Sequence, residues 1–273
     1  MDLNTKLRLN NNVEIPALGL GTYLSKPGKE TYEAVRYALD MGYRHIDTAS
    51  LYANEEDVGR AVRESGIPRE EVFVTTKVWN SDQGFDNTIN AFHKSLRKLK
   101  FDYIDLYLIH WPQPKTRCDT WRALIQLYDD NKVNAIGVSN YTLRHIEEIL
   151  HGSPFKPLVN QVEFSPYLYQ REILAYCTRR NILVEAYTPL VRGKKFNDPK
   201  LIALAEQYSK TPAQIMIRWA LQVGTIVLPK SVNPTRIKEN ADVFDFEISE
   251  DDMEILESFN ENYRVAWDPS QIE

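Results

Sequence analysis

Short apolar runs alternate with longer segments of helical period along this chain. The runs fall at 17–20, 45–49, 72–78, 103–110, 135–139, 158–164, 183–187 and 225–229, and each carries few charges. A strand covered on both faces reads this way, because neither face has to meet water. Between the runs, 29–41, 55–65, 86–99, 120–131, 143–150, 170–180, 199–208 and 234–241 predict helices. Ala34, Ala38 and Met41 fall on one face of the first, and Gly42 stops it. Asp198-Pro199 and Thr211-Pro212 each set a capping side chain before a proline at the first helical position; the second opens a further helix over 213–222. A last helix, 249–259, starts at Ser249 with Asp252 three residues on, close to a capping box. At the front, Leu7 and Leu9 alternate with polar neighbours, Asn10 to Asn12 supply a turn, and 13–15 return as a hairpin.

Alternating strands and helices imply a parallel sheet with helices outside, and eight units are the number that closes into a barrel. The alternative is an open doubly wound sheet, which places a phosphate loop after its first strand. Here that strand leads into Gly19-Leu-Gly21-Thr-Tyr-Leu24, which lacks the third glycine of GxGxxG, and no helix starts directly there. The expected fold is therefore α/β, a (β/α)8 TIM barrel with an N-terminal β-hairpin and an extra C-terminal helix. No linker or composition shift divides the chain, so residues 1–273 are read as a single domain.

Composition narrows the function. Apolar types make up 43% and charged types 26%, which excludes a collagen, a disulfide mini-scaffold and a disordered tail. With 33 Lys and Arg against 38 Asp and Glu, the net charge is -5 and no basic block stands out. There is no footprint for nucleic acid or an anionic membrane, although a basic pocket for one phosphate stays open. Cys118 and Cys177 are the only cysteines, with no CxxC and no His/Cys pair at ligand spacing, so no metal site is expected. Two buried free thiols are expected, as in a reducing compartment. The start, Met-Asp-Leu-Asn-Thr-Lys-Leu, has no secretory core, and 104–111 is far short of the ~20 residues that span a bilayer. A cytoplasmic monomer acting on a small molecule is the expectation, and the Asn140-Tyr141-Thr142 sequon reads as coincidence.

In such a barrel, chemistry belongs to the C-terminal ends of the strands and the loops after them. Strand two ends in Asp47, strand three in Lys77 and strand four in His110, with Tyr52 in the loop after strand two. Each alone has a bland reading: a turn cap, a snorkelling lysine, a satisfied core histidine, a packing tyrosine. Together they make chemical sense. Burying Asp and Lys costs several kcal/mol per charge unless they pair. A neighbouring ammonium lowers a phenol's pKa, so Lys77, held by Asp47, makes Tyr52 a usable general acid for a carbonyl oxygen. His110 is a second donor to the developing oxyanion. With no nucleophile or metal in view, the hydride must come from a bound cofactor. Tyr23, Trp79, Trp111 and Tyr187 lie at the same level and predict an apolar substrate pocket, with one ring available to stack on a nicotinamide. Ser139, Asn140 and Gln161 are neutral groups suited to a carboxamide. After strand eight, Lys230, Ser231 and Arg236 form a cationic pocket at a helix start, where a 2′-phosphate would favour NADPH over NADH.

The chain resembles the aldo-keto reductases over almost its whole length. The resemblance rests on Gly19-Leu-Gly21-Thr22, Gly42-Tyr-Arg-His-Ile-Asp47-Thr-Ala-Ser-Leu-Tyr52, Asn54-Glu-Glu, Thr76-Lys77-Val-Trp79, Asp105-Leu-Tyr-Leu-Ile-His110-Trp-Pro112, Gly137-Val-Ser-Asn140, Asn160-Gln161-Val-Glu163 and Pro229-Lys-Ser231. Within the family it looks similar to the prostaglandin F synthase and 2,5-diketo-gluconate reductase branch. The resemblance implies NADPH bound without a Rossmann domain and a tetrad of Asp47, Tyr52, Lys77 and His110. It assigns nicotinamide contacts to Ser139, Asn140, Gln161 and Tyr187, and the pyrophosphate to the neighbourhood of Thr188, Pro189, Leu190 and Arg192. It assigns the adenosine-phosphate end to Lys230, Ser231, Asn233, Arg236, Glu239 and Asn240, and the cofactor set also takes in Gly21, Thr22 and Val232. Many relatives carry Trp where Tyr23 stands and His-Pro where Ser165-Pro166 stands. The segments after Pro112 and after Tyr187 are short and the tail has no long loop, which predicts an open, permissive pocket.

The expected activity is reversible NADPH-dependent reduction of aldehydes and ketones, with Tyr52 as the acid. Two other readings remain at this point: a barrel lyase using Lys77 as a Schiff base, and an NADPH-binding sensor or channel-associated subunit with little turnover.

Overall fold

The computed structural model describes residues 1–273. Two short strands, β1 (Lys6–Arg8) and β2 (Glu14–Pro16), pair antiparallel as the hairpin. Eight parallel strands follow: β3 (Leu20–Gly21), β4 (His45–Asp47), β5 (Phe73–Val78), β6 (Ile104–Ile109), β7 (Val133–Ser139), β8 (Val159–Glu163), β9 (Leu183–Tyr187) and β10 (Ile226–Leu228). Each pairs with the next in chain order. The ring closes where Leu18 bridges Val227 and Gly21 bridges Lys230, with Gly19 N donating to Val227 O at 2.9 Å. This is the expected (β/α)8 barrel. Strand one reaches 20–21 as a ladder rather than 17–20, because its first residues pair through isolated bridges instead of a continuous register.

Helices α1 (Lys29–Asp40), α2 (Glu55–Arg63), α3 (Phe85–Leu99), α4 (Arg117–Asp129), α5 (Leu143–His151) and α6 (Arg171–Arg179) each carry the chain back to the next strand. Two helices, α7 (Pro199–Gln207) and α8 (Pro212–Gln222), lie between β9 and β10, and α9 (Pro234–Ala241) follows β10. The extra C-terminal helix is α10 (Glu250–Glu257). The caps read from the sequence form. Asp198 accepts from Lys200 N at 2.9 Å, Thr211 and Gln214 make a reciprocal capping box, and Ser249 accepts from Asp252 N at 3.2 Å. No helix is long and apolar enough to cross a membrane.

α4 begins three residues before its expected start, and this corrects one thiol. Arg117 takes the inward position of the first turn, donating to Pro112 O at 3.1 Å and pairing with Glu148. Its neighbour Cys118 is thereby turned out and is exposed, while Cys177 is buried as expected.

The period-two alternation of the strands decides what the barrel holds. Outward residues such as Ile46, Val74, Tyr107 and Val184 join the helices in the large core. Inward residues near the strand starts, among them Leu106, Ala135 and Ile226, pack against Leu9 and Ile15 of the hairpin and close the floor. Further along the strands and at their C-terminal ends the inward register reaches Asp47, Lys77, His110, Ser139, Gln161 and Tyr187. The site follows from the pleat that also builds the core.

Candidate active site

Lys77 is fully buried near the end of β5. Its Nζ donates to both carboxylate oxygens of Asp47 at 2.7 Å and to Thr48 O at 3.0 Å, and stands 3.4 Å from the Tyr52 hydroxyl. Tyr52 arrives on a single helical turn, Ser50–Tyr52, that Ala53 ends in the left-handed region at φ 56°. The loop is tied from both sides. Thr48 Oγ1 donates to Asn54 Oδ1 at 2.7 Å, and Asn54 Nδ2 donates to Thr22 O at 3.1 Å. Ser50 Oγ donates to Lys77 O at 2.9 Å, so loop and strand move as one piece.

The ionisation of Tyr52 runs against the sequence expectation. Its phenol is pushed well above its usual range, by burial first and then by the Asp47 carboxylate. The ammonium does not acidify it because Asp47 sits 2.7 Å from that ammonium, so the pair acts on the phenol almost as a neutral unit. Tyr52 therefore keeps its proton at neutral pH, the state a proton donor needs.

His110 stacks edge-on between Tyr52, at 5.7 Å between ring centroids, and Trp79, at 5.0 Å. Burial, and secondarily the Lys77 ammonium, push its imidazole well below the usual range, so the ring is neutral. Its Nδ1 is buried without a partner. Of the two tautomers, the one with the proton on Nε2 leaves only an acceptor unpaired there, and we assign it on that ground. Nε2–H is then the donor available to the cleft.

On the opposite wall, Tyr187 donates to Asn140 Oδ1 at 2.7 Å, and Asn140 Nδ2 donates to His110 O at 3.0 Å and Ser139 Oγ at 3.1 Å. Asn140 is buried with φ 64°, so the sequon it belongs to is a structural element of the site. Gln161 donates through Nε2 to Asp47 Oδ2 at 2.9 Å, which leaves its amide oxygen without a protein partner at the cleft.

These walls enclose one cavity of about 990 Å³ that runs from the aromatic residues at the barrel mouth to the start of α9. Every site residue expected from the sequence lines it except Thr22 and Lys77. Thr22 is turned onto Asp47 O, with its hydroxyl donating at 2.9 Å, and Lys77 lies behind Tyr52. At the far end, Asn233 caps α9 by accepting from Arg236 N at 3.2 Å and takes a bond from its own N–H to Ser231 Oγ at 3.1 Å. Glu239 is held by Thr211 at 2.6 Å. Lys230 and Arg236 meet the cavity as cations beside the N-terminus of α9, a setting for phosphate, and Arg192 lines it nearer Tyr187 and Glu163. A Cβ on Gly21 would lie 3.3 Å from Leu228 O, so the glycine lets the backbone after β10 come close at the cavity wall.

Sequence reasoning missed part of the mouth. Leu24, Leu51 and Trp267 line it, and Trp267 lies 5.6 Å from Trp111 and 6.5 Å from Trp79. The tail that carries Trp267 is fastened to the end of β8, where Val265 N donates to Glu163 Oε1 at 2.7 Å. Trp267 rims the mouth while staying 68% exposed, so it borders the opening without sealing it. The one available signal was a tryptophan in the tail that follows the last predicted helix, 264–270.

Comparison with known proteins agrees with this architecture. Residues 17–261 match the model of the Aldo/keto reductase family. A glyoxal reductase of Bacillus subtilis is 48% identical over 99% of this chain and 98% of its own length. A 9,11-endoperoxide prostaglandin H2 reductase of Trypanosoma cruzi is 48% identical over 97% of this chain and 94% of its own. The crystal structure of a Gox0644 variant in complex with NADPH superimposes with a TM-score of 0.94 at 41% identity, covering 99% of both chains. The fold and the site define a barrel oxidoreductase. The chain belongs to the aldo/keto reductase family.

Proposed function

We propose that this protein reduces aldehydes and ketones to alcohols with NADPH, Tyr52 giving its proton to the carbonyl oxygen. The observation that carries the reading is the one cavity in which a protonated phenol, a neutral imidazole and an unpaired amide oxygen sit at one end and the cations Lys230 and Arg236 at the other. The lining fits the dinucleotide. The free amide oxygen of Gln161 suits a carboxamide N–H, with Asn140 and Ser139 tied beside it, the Tyr187 ring suits a flat heterocycle, and Lys230, Ser231 and Arg236 suit a phosphate on the ribose. NADPH, when bound, supplies the hydride.

The protein's own groups do the rest. The Nε2–H of His110 and the hydroxyl of Tyr52 both donate to the carbonyl oxygen, which orients it. As negative charge gathers on that oxygen, the phenolic O–H bond breaks and the proton completes the alcohol. The phenolate left behind faces the Lys77 ammonium at 3.4 Å, and Asp47 holds that ammonium in place. Reprotonation of Tyr52 closes the cycle, and oxidation of an alcohol runs by the same steps in reverse. The rings of Tyr23, Trp79, Trp111 and Trp267, with no cation among them, favour a neutral carbonyl substrate. A Schiff base on Lys77 needs a free amine, whereas this ammonium meets Asp47 and Thr48 O within 3.0 Å.

The test is NADPH consumption across methylglyoxal, aromatic aldehydes, quinones, sugars and diketones, repeated with Tyr52→Phe. The variant is expected to lose ~10²-fold or more in turnover, the worth of a positioned acid, while still binding NADPH. Near-wild-type turnover overturns the acid assignment.

A further inference from the structure

Beneath the tetrad lies a second set of buried titratable groups that the reaction does not touch. Glu185 sits at the middle of β9 and His45 at the start of β4, both at 0% exposure. Room for the imidazole exists because residue 19 is glycine; a Cβ there would come within 2.8 Å of the His45 ring. One nitrogen links this set to the site above. Gln161 Nε2 donates to Glu185 Oε2 at 2.6 Å and to Asp47 Oδ2 at 2.9 Å. Glu185 Oε1 has no hydrogen-bond partner; its neighbour is His45 Nε2 at 3.5 Å, itself paired with Thr75 Oγ1 at 3.1 Å.

Charge decides the state of this set. The groups that face Glu185 are His45 and Asp47 from β4, Lys77 from β5 and Gln161 from β8. With both carboxyls ionised and Lys77 as the one cation, a sealed region would hold an uncompensated negative charge, which burial penalises heavily. His45 supplies no second cation, because burial drops its imidazole to about 3. Burial and the Asp47 carboxylate push Glu185 up to about 8, against smaller pulls from Gln161 and Lys77. A neutral Glu185 brings the count to zero, with its proton on the unpartnered Oε1 beside His45.

We propose that Glu185 is a positioning residue of the reductase centre, acting through Gln161 and Lys77. By sharing the Gln161 nitrogen with Asp47 it fixes which end of that amide meets the cleft. By carrying a proton it keeps Lys77 from facing two carboxylates. The inference rests on the reductase reading. Both Gln161 N–H groups are engaged below, so only the amide oxygen can serve a ligand above. Loss of the Glu185 proton places a second negative charge behind Tyr52, raises the phenol further and slows its proton transfer.

The test uses Glu185→Gln and Glu185→Leu in the full chain. In the cofactor-free protein, infrared titration should show a carboxylic-acid C=O band that fades near pH 8 and is missing from Glu185→Gln. For methylglyoxal reduction, wild-type kcat should fall through the same pH and Glu185→Gln should lack that fall. Leaving a buried N–H unpaired costs on the order of tenfold, so Glu185→Leu should weaken NADPH binding, read by tryptophan fluorescence, about tenfold, and Glu185→Gln should recover most of it. Superimposable pH profiles for wild type and Glu185→Gln, or no titrating acid band, overturn the proposal; if Glu185→Leu does not fold, these two readouts decide alone. A wild-type protein that reduces no carbonyl sinks the reductase reading instead, while the infrared and binding results still judge Glu185.

Discussion

At the N-terminal end of the strands the barrel is stopped by Leu9 and Ile15 packed on Leu106, Leu108 and Leu158, all at 2% exposure or less. At the C-terminal end the same strands present Asp47, Lys77 and His110, also almost sealed, around a cavity. The backbone and the pleat are alike at both ends. The floor gains stability from burying apolar surface, and asks of its residues only that they be apolar and of the right volume. The mouth carries an ion pair whose desolvation is repaid only by close geometry and added hydrogen bonds. One end is therefore held by apolar volume, and the other by the exact placement of charges and hydrogen bonds.

Removing one partner at the mouth should cost most. Lys77→Met strands the Asp47 carboxylate, so the urea midpoint should drop by an amount worth about 3–5 kcal/mol, and carbonyl reduction should fall with it. At the floor, Ile15→Ala should cost about 2–5 kcal/mol in the same measurement and leave kcat under native conditions at the wild-type value. A matching loss of kcat would mean that floor and mouth are not separable. Within the cavity, Arg236→Ala should weaken NADPH by about 1.5–3 kcal/mol, the worth of a charge-assisted bond, and NADH far less. Equal losses for both nucleotides in fluorescence titrations would remove the 2′-phosphate role.

The smallest effect sits between the two ends. Glu185 titrates at about 8 when folded and in the ordinary carboxylate range when unfolded, so between those two values the folded state alone holds that proton. Stability should decline as pH rises from 7 toward 8, by at most about 1.4 kcal/mol per pH unit, and Glu185→Gln should flatten the slope. Below pH 6.5 His45, neutral when folded, works with the opposite sign, so the neutral-to-alkaline window is the diagnostic one.

Much of the mouth was legible along the chain because the alternation of inward and outward positions is local. Asp47, Lys77 and His110 stand out as polar residues where apolar strands end, and Lys230, Ser231 and Arg236 as a cluster before a helix. Trp267 was not legible, since a tail has no periodicity to say which surface it covers. Glu185 was hidden for another reason: one acid in the run 183–187 looks like an edge charge until β8 and β4 are seen beside it. The ionisation of Tyr52 was misjudged because proximity to Lys77 was foreseen and the competing nearness of Asp47 was not.

Period, caps and the identity of strand-end residues determined the barrel, its order of elements and the kind of chemistry gathered at its mouth. These are properties of neighbours in sequence, and local sterics and hydration suffice to set them. Tertiary structure alone decided which charges cancel, which tautomer and proton each buried group carries, and what rims the pocket. Those quantities depend on distances of a few ångströms between residues up to 150 or more positions apart, such as Trp111 and Trp267, and no local pattern encodes them.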